Sequence, residues 1–292
     1  MAFDFEAIRA QRKKWAAQPT IGQRFVVPRD GMDGVEVILY RPENASGKLP
    51  VFFNMHGGAW IGGDAVLLES FCARLANELP ALVVNVNYKK MDEQPFPYAL
   101  TEVADAVKYF AAHAEEYGID TGKMAVGGHS AGAQIAAGAA MKLKEDGMKL
   151  AAQLLVYPCT DLRPGEGEGL MQMIQPMLFP DGNCEHRWAS PLLAKDDELR
   201  NLAPAIFIEC GLDELKPMGI AYAKRLIDAA VPVKIKEYPR ALHGFLEVCR
   251  PDYDPNDPRR TPEQFEYCAD CEAYIINELR ACFQNMLSCS ES

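Results

Sequence analysis

The chain of 292 residues is 49% hydrophobic and carries 30 Lys and Arg against 41 Asp and Glu, a formal net charge of −11. Length and apolar content together are those of one large buried core, so a single domain over 1–292 with a small appendage is expected. The acidic excess would repel nucleic acid and anionic membrane surfaces, which removes both as partners.

Met1 to Gln18 mixes acidic and basic side chains and lacks the continuous apolar stretch that a secretion signal needs. Nowhere does the chain reach the roughly 18 to 20 successive apolar residues that span a bilayer, so a soluble protein is expected. Arg24 to Val27 and Val35 to Tyr40 follow as strand-like runs on either side of the turn-rich Pro28 to Gly34, an expected antiparallel hairpin. Apolar runs of strand length then alternate with amphipathic segments: Val51 to Met55, Ala81 to Val86, Met124 to Gly127, Ala152 to Tyr157, Ala205 to Cys210 and Val231 to Tyr238. The helices between them show in periodic sets such as Val103, Val107, Phe110 and Ala114, or Ile220, Ala223, Leu226 and Ala230. Alternation of this kind builds an α/β fold, a mostly parallel central sheet with helices on both faces.

Two segments break the rhythm. Asp161 to Pro191 is rich in Gly, Pro and Met, and Pro251 to Pro262 in Asp, Arg and Pro; loops of such length inside a compact domain tend to be lids, binding loops or inserts. Leu170, Met171, Met173, Met177, Leu178 and Phe179 are candidates for an adaptable apolar lid, with packing against the core as the competing reading. Gly165, Gly167 and Gly169 lack the strand-before, helix-after order of a phosphate loop, which argues against a nucleotide site.

The chemistry begins at Asn54-Met55-His56-Gly57-Gly58-Ala59-Trp60, at the carboxyl end of a strand. The N–H groups of Gly57 and Gly58 can approach an oxyanion because neither residue carries a side chain. Gly128-His129-Ser130-Ala131-Gly132 follows another strand and opens the alanine-rich helical stretch to Leu143, the context of a nucleophile elbow. Ala131 N–H would be the third oxyanion donor. A serine hydroxyl needs an adjacent base, and the base needs a carboxylate that holds its tautomer, in the chain order serine, acid, histidine. Of five histidines only His243, in Ala241-Leu242-His243-Gly244-Phe245, follows an acid after the late strands. Asp213, just beyond Ala205 to Cys210, is the acid of choice, with Glu214 its neighbour and Asp161 a weaker candidate. Such a set needs neither metal nor organic cofactor.

The nine cysteines form no compact framework, and a reducing cytoplasm is expected. Cys268 and Cys271 recur with Ile275, Leu279 and Cys282 at helical spacing, so core packing is expected of them rather than metal or redox work.

These residues resemble the bacterial hormone-sensitive-lipase-like family of α/β-hydrolase esterases, from about Val35 to Phe245. The resemblance rests on His56-Gly57-Gly58-Ala59-Trp60, Ser130-Ala131-Gly132, Tyr157-Pro158 with Thr160-Asp161, Ser190-Pro191-Leu192-Leu193, Asp213 and His243-Gly244-Phe245. It implies an α/β-hydrolase fold with a small cap, here from about 1–22 and 161–191, and an extra loop at 251–262. It also implies Ser130, Asp213 and His243 as catalytic residues, and Gly57, Gly58 and Ala131 as the oxyanion hole. His56, Trp60 and Met177 are the substrate-binding candidates. Departures are His129, where the family usually has an acidic residue, the stretch after Asp213, and the 251–262 loop. The expected activity is hydrolysis of small esters with short acyl groups, acetyl to butyryl. A formamidase or amidase on the same fold and a non-catalytic ligand-binding protein are the alternatives. A small-molecule ester is the expected partner, and the sequence leaves a homo-oligomer open.

Overall fold

The computed structural model describes residues 4–165, 169–250 and 253–285. Gly167, and the parts of the cap and loop segments at 1–3, 166–168 and 251–252, lie outside the described residues. One sheet contains β1 (Gln23–Val27), β2 (Val35–Tyr40), β3 (Leu49–Met55), β4 (Leu82–Val86), β5 (Ile119–His129), β6 (Ala152–Val156), β7 (Ala205–Cys210) and β8 (Val233–Tyr238). Its spatial order is β1-β2-β4-β3-β5-β6-β7-β8. β1 and β2 form the expected antiparallel hairpin, with Val27 opposite Val35. β2 is also antiparallel to β4, and all later pairings are parallel.

The inner strands β3, β4, β6 and β7 read as apolar runs because both faces of the sheet are covered there, whereas the edge strands β1 and β8 are partly exposed. In β3, Val51, Phe53 and Met55 face one core, shared with the helices Tyr98–Ala112, Ala131–Glu145 and Lys216–Asp228. Phe52 faces the other, shared with Glu69–Glu78 and Pro262–Asn285. The chain leaves β3 for β4 on one side and returns to place β5 on the other side of β3. Such a reversal opens a crevice beyond the carboxyl ends of the two strands, and His56 and Ser130 are the residues that follow them.

Several expectations shift. β5 begins at Ile119, earlier than its apolar run, because the polar Asp120 to Lys123 still belongs to the strand and is partly exposed. The helix Lys216–Asp228 buries Gly219, Tyr222, Ala223 and Leu226, whereas Ile220 is 36% exposed. The buried stripe is therefore set by Tyr222, and Ala230 lies beyond the helix end. Within the irregular 161–191 segment, Leu170–Leu178 is a helix that buries Ile174 and Leu178. In Pro262–Asn285, Cys268, Cys271, Ile275 and Leu279 do share one buried face, with Cys282 packed against it. Cys268, however, also forms a disulfide with Cys249 across Cα atoms 6.6 Å apart. Helical spacing accounts for its burial but carries no information about a partner on a distant loop.

Candidate active site

β5 ends in a turn so tight that Ser130 takes φ 54° and ψ −116°, a left-handed conformation costly for any residue with a side chain. The strain is held by its surroundings: Ser130 N–H donates to the Val156 carbonyl at 2.9 Å, and the helix Ala131–Glu145 starts at the next residue. That helix lies almost on β3. A Cβ on Gly132 would fall 2.3 Å from the Met55 carbonyl oxygen, so only glycine lets the elbow close.

His243, after β8, and Asp213, after β7, converge on this serine. His243 Nε2 lies 2.9 Å from Ser130 Oγ, and His243 Nδ1 lies 2.5 Å from Asp213 Oδ2. The second Asp213 oxygen accepts from Leu215 N–H at 2.9 Å, which fixes the carboxylate. Glu214 is exposed, and Asp161 is paired with Arg163 at 2.7 Å; the carboxylate on the imidazole is that of Asp213. A hydroxyl, an imidazole and a carboxylate bonded in series can pass the serine proton to the ring while the carboxylate stabilises the resulting cation.

Beyond β3, the glycine loop folds on itself. Ile61 N–H and Gly62 N–H donate to the Gly58 carbonyl at 3.1 and 2.7 Å, and Gly58 takes φ 126°. A Gly57 Cβ would lie 3.5 Å from the Ser130 Cβ, so the loop passes beside the serine. Among the described residues no acceptor is bonded to the N–H of Gly57, Gly58 or Ala131.

The substrate-binding candidates separate. Ser130 opens on a cavity of about 1410 Å³ whose wall includes His56, Trp60, Trp15, Leu170, Met171 and Met218. His56 is buried, stacked on Tyr88 at 4.5 Å, and has Nδ1 2.6 Å from its own loop's Gly57 carbonyl. Burial, aided by Lys90, pushes its pKa well down, so it is neutral. Trp60 donates its indole N–H to Gln134 at 2.9 Å, and Gln134 in turn holds the carbonyls of Trp188 and Ala189. Met177 is the exception: it packs against the core and is not part of the cavity wall. Met171 is six residues earlier, about 240° around a helix, and it is Met171 that faces the cavity.

Behind the serine, Tyr157 and His129 meet Glu247, which the sequence does not single out, in a polar cluster. Tyr157, in a positive-φ turn after β6, donates its hydroxyl to Glu247 Oε2 at 2.7 Å. His129 Nδ1 lies 3.2 Å from the same hydroxyl oxygen. The Tyr157 hydroxyl spends its one O–H on the carboxylate and can only accept from the ring, so His129 donates from Nδ1. Burial lowers the His129 pKa, which keeps the ring neutral. The Tyr157 ring meets the His243 ring edge-on at 5.0 Å, linking this cluster to the imidazole.

Glu209, in β7, is 1% exposed, and its pKa is raised to about 8, first by burial and then by the charge of Asp213. The native state therefore keeps a proton that the unfolded chain releases, and the associated stability is lost as pH rises from the usual carboxylate range toward about 8. Glu209→Gln removes that dependence. Its melting temperature is expected to exceed that of the parent by a wider margin at about pH 8.5 than at about pH 5. Equal margins at both values would dismiss the buried proton.

A family model described as alpha/beta hydrolase fold matches residues 52–247. The chain is 30% identical over 239 residues to the ethyl acetate hydrolase of Pseudomonas putida, covering 75% of this chain and 74% of that one. It is 29% identical over 259 residues to the esterase LipI of Mycobacterium tuberculosis, covering 82% of this chain and 81% of that one. Its structure is similar to that of a Pyrobaculum calidifontis esterase, with TM-score 0.80, 26% identity and coverage of 96% and 94% of the two chains. The chain belongs to the alpha/beta hydrolase fold family.

Proposed function

We propose that the protein hydrolyses carboxylic esters through an acyl-enzyme on Ser130. The carrying observation is the Ser130–His243–Asp213 chain of hydrogen bonds, at 2.9 and 2.5 Å, on the wall of a large cavity. Ser130 Oγ attacks the ester carbonyl while its proton passes to His243 Nε2. The carbonyl electrons collect on an oxygen held by the N–H groups of Gly57, Gly58 and Ala131. Collapse expels the alcohol, which takes the proton from His243. Water then repeats the sequence, releasing the acid and restoring the serine. Asp213 keeps the proton-accepting nitrogen directed at the serine throughout.

The preferred acyl groups are short, acetyl to butyryl; similarity to an ethyl acetate hydrolase supports this. Groups of that size fill little of about 1410 Å³, so most of the space falls to the alcohol. Trp15 on one side and Leu170 and Met171 on the other support a cap built from the described parts of 1–22 and 161–191. The free Cys72, Cys159, Cys184, Cys210, Cys271 and Cys282 support a reducing compartment such as the cytoplasm, while the Cys249–Cys268 bond weighs against it. Among the described residues no helix is long and apolar enough to cross a membrane.

A series of p-nitrophenyl esters tests the reading: kcat/KM is expected to be highest from acetyl to butyryl and to fall with longer chains. N-formylkynurenine, run alongside, is expected to be the poorer substrate. Faster turnover of that amide, or of long-chain triglyceride emulsions, would defeat the proposal.

A further inference from the structure

The imidazole of His243 is 37% exposed, so packing alone restrains it weakly, and Asp213 holds only one of its edges. Further restraint comes through the main chain, from residues outside the matched 52–247. Arg259, in the loop that leads into Pro262–Asn285, lines the cavity and donates from Nη1 to the His243 carbonyl at 3.0 Å. Asp257 grips its other edge, with Nε to Oδ1 at 2.9 Å and Nη2 to Oδ2 at 2.7 Å. Nη2 also donates to the Tyr253 hydroxyl. Arg259 holds the Asp257 carboxyl far below the usual range, so the pair stays ionised.

A guanidinium has five N–H donors in one plane. Four are committed here, which leaves little for a ligand and aims Nη1 at the carbonyl. The next residue acts on the same turn: Arg260 Nη1 donates to the carbonyls of Val248 and Arg250 at 2.6 and 3.0 Å. Two successive arginines thus hold both ends of the segment that begins at His243.

We propose that Arg259 is a positioning residue for His243, and that the loop carrying Tyr253, Asp257 and Arg259 is a brace for the base. The proposal rests on the reading of His243 as that base. Its bond fixes the His243 carbonyl and, with it, the direction in which the side chain leaves the backbone. Misplacing a reacting group by about 1 Å can cost about a hundredfold in rate.

The test uses the full chain with Arg259→Ala and p-nitrophenyl acetate. The expected result is a kcat about 10- to 100-fold lower, KM within about twofold, and an unchanged melting temperature. Millimolar guanidinium is expected to restore part of kcat in the variant and none in the parent, because it can occupy the vacated site. The rate at which a fluorophosphonate labels Ser130 is expected to fall in parallel. Unchanged kcat would overturn the brace. So would a loss of kcat that guanidinium does not restore and that comes with a lower melting temperature. If the parent cleaves no ester yet is still labelled at Ser130, the ester reading fails, and the labelling rate of Arg259→Ala still decides the brace.

Discussion

Ser130→Ala is expected to lower kcat for p-nitrophenyl acetate by about four to six orders of magnitude, with the fold intact. Alanine keeps the Cβ and asks for the same φ of 54°, so the elbow should close as before. What is lost is the oxygen 2.9 Å from His243 Nε2, and with it the covalent route. His243→Ala is expected to cost about as much, and the double variant little more than either, because hydroxyl and imidazole act in one step. Any residual rate over water would come from the glycine-loop donors and binding alone. Esterase activity within about tenfold of the parent in purified Ser130→Ala would reject the nucleophile assignment.

Gly58→Ala is expected to lower kcat by about two to three orders of magnitude, with a much smaller change in KM. Two independent facts oppose any side chain there. Gly58 has φ 126°, and its Cβ would fall 2.3 Å from the Gly62 carbonyl oxygen. The loop must shift to admit the methyl group, which moves the N–H groups of Gly57 and Gly58 away from the place where the oxyanion forms. The loss of about 3 to 4 kcal/mol falls on the transition state rather than on the bound ester. Gly62→Ala is the control, since its Cβ would meet nothing closer than the Gly58 carbonyl oxygen at 3.4 Å. A Gly58→Ala kcat as high as that of Gly62→Ala and of the parent would remove the loop from the chemistry.

The legible features share a physical cause. Strands buried on both faces must be apolar throughout, so β3, β4, β6 and β7 appear within a residue or two of their bounds. The elbow is legible because a Cβ on Gly132 would fall 2.3 Å from the Met55 carbonyl oxygen, a constraint that leaves glycine in the sequence. Where burial is partial, the signal fades. The polar start of β5 carries no apolar run, and in Leu170–Leu178 the helical spacing of Leu170, Ile174 and Leu178 is masked by Pro176 and the glycines before it. Met177 illustrates the limit of composition: it is as apolar as Met171, but helix phase alone decides which of them reaches the cavity.

The sequence by itself determined the α/β architecture, the order of Ser130, Asp213 and His243 along the chain, and the glycines that a close approach requires. Those properties are local, since periodicity and the steric demands of a turn are written in neighbouring residues. Only the tertiary structure decided that β3 lies between β4 and β5, which places the His56 loop beside Ser130. It alone joined Cys249 to Cys268, Tyr157 to Glu247, and Arg259 to the His243 carbonyl. Contacts of that kind depend on where separate loops meet, and a hydrogen bond to a main-chain carbonyl leaves no mark on the identity of the residue that supplies it.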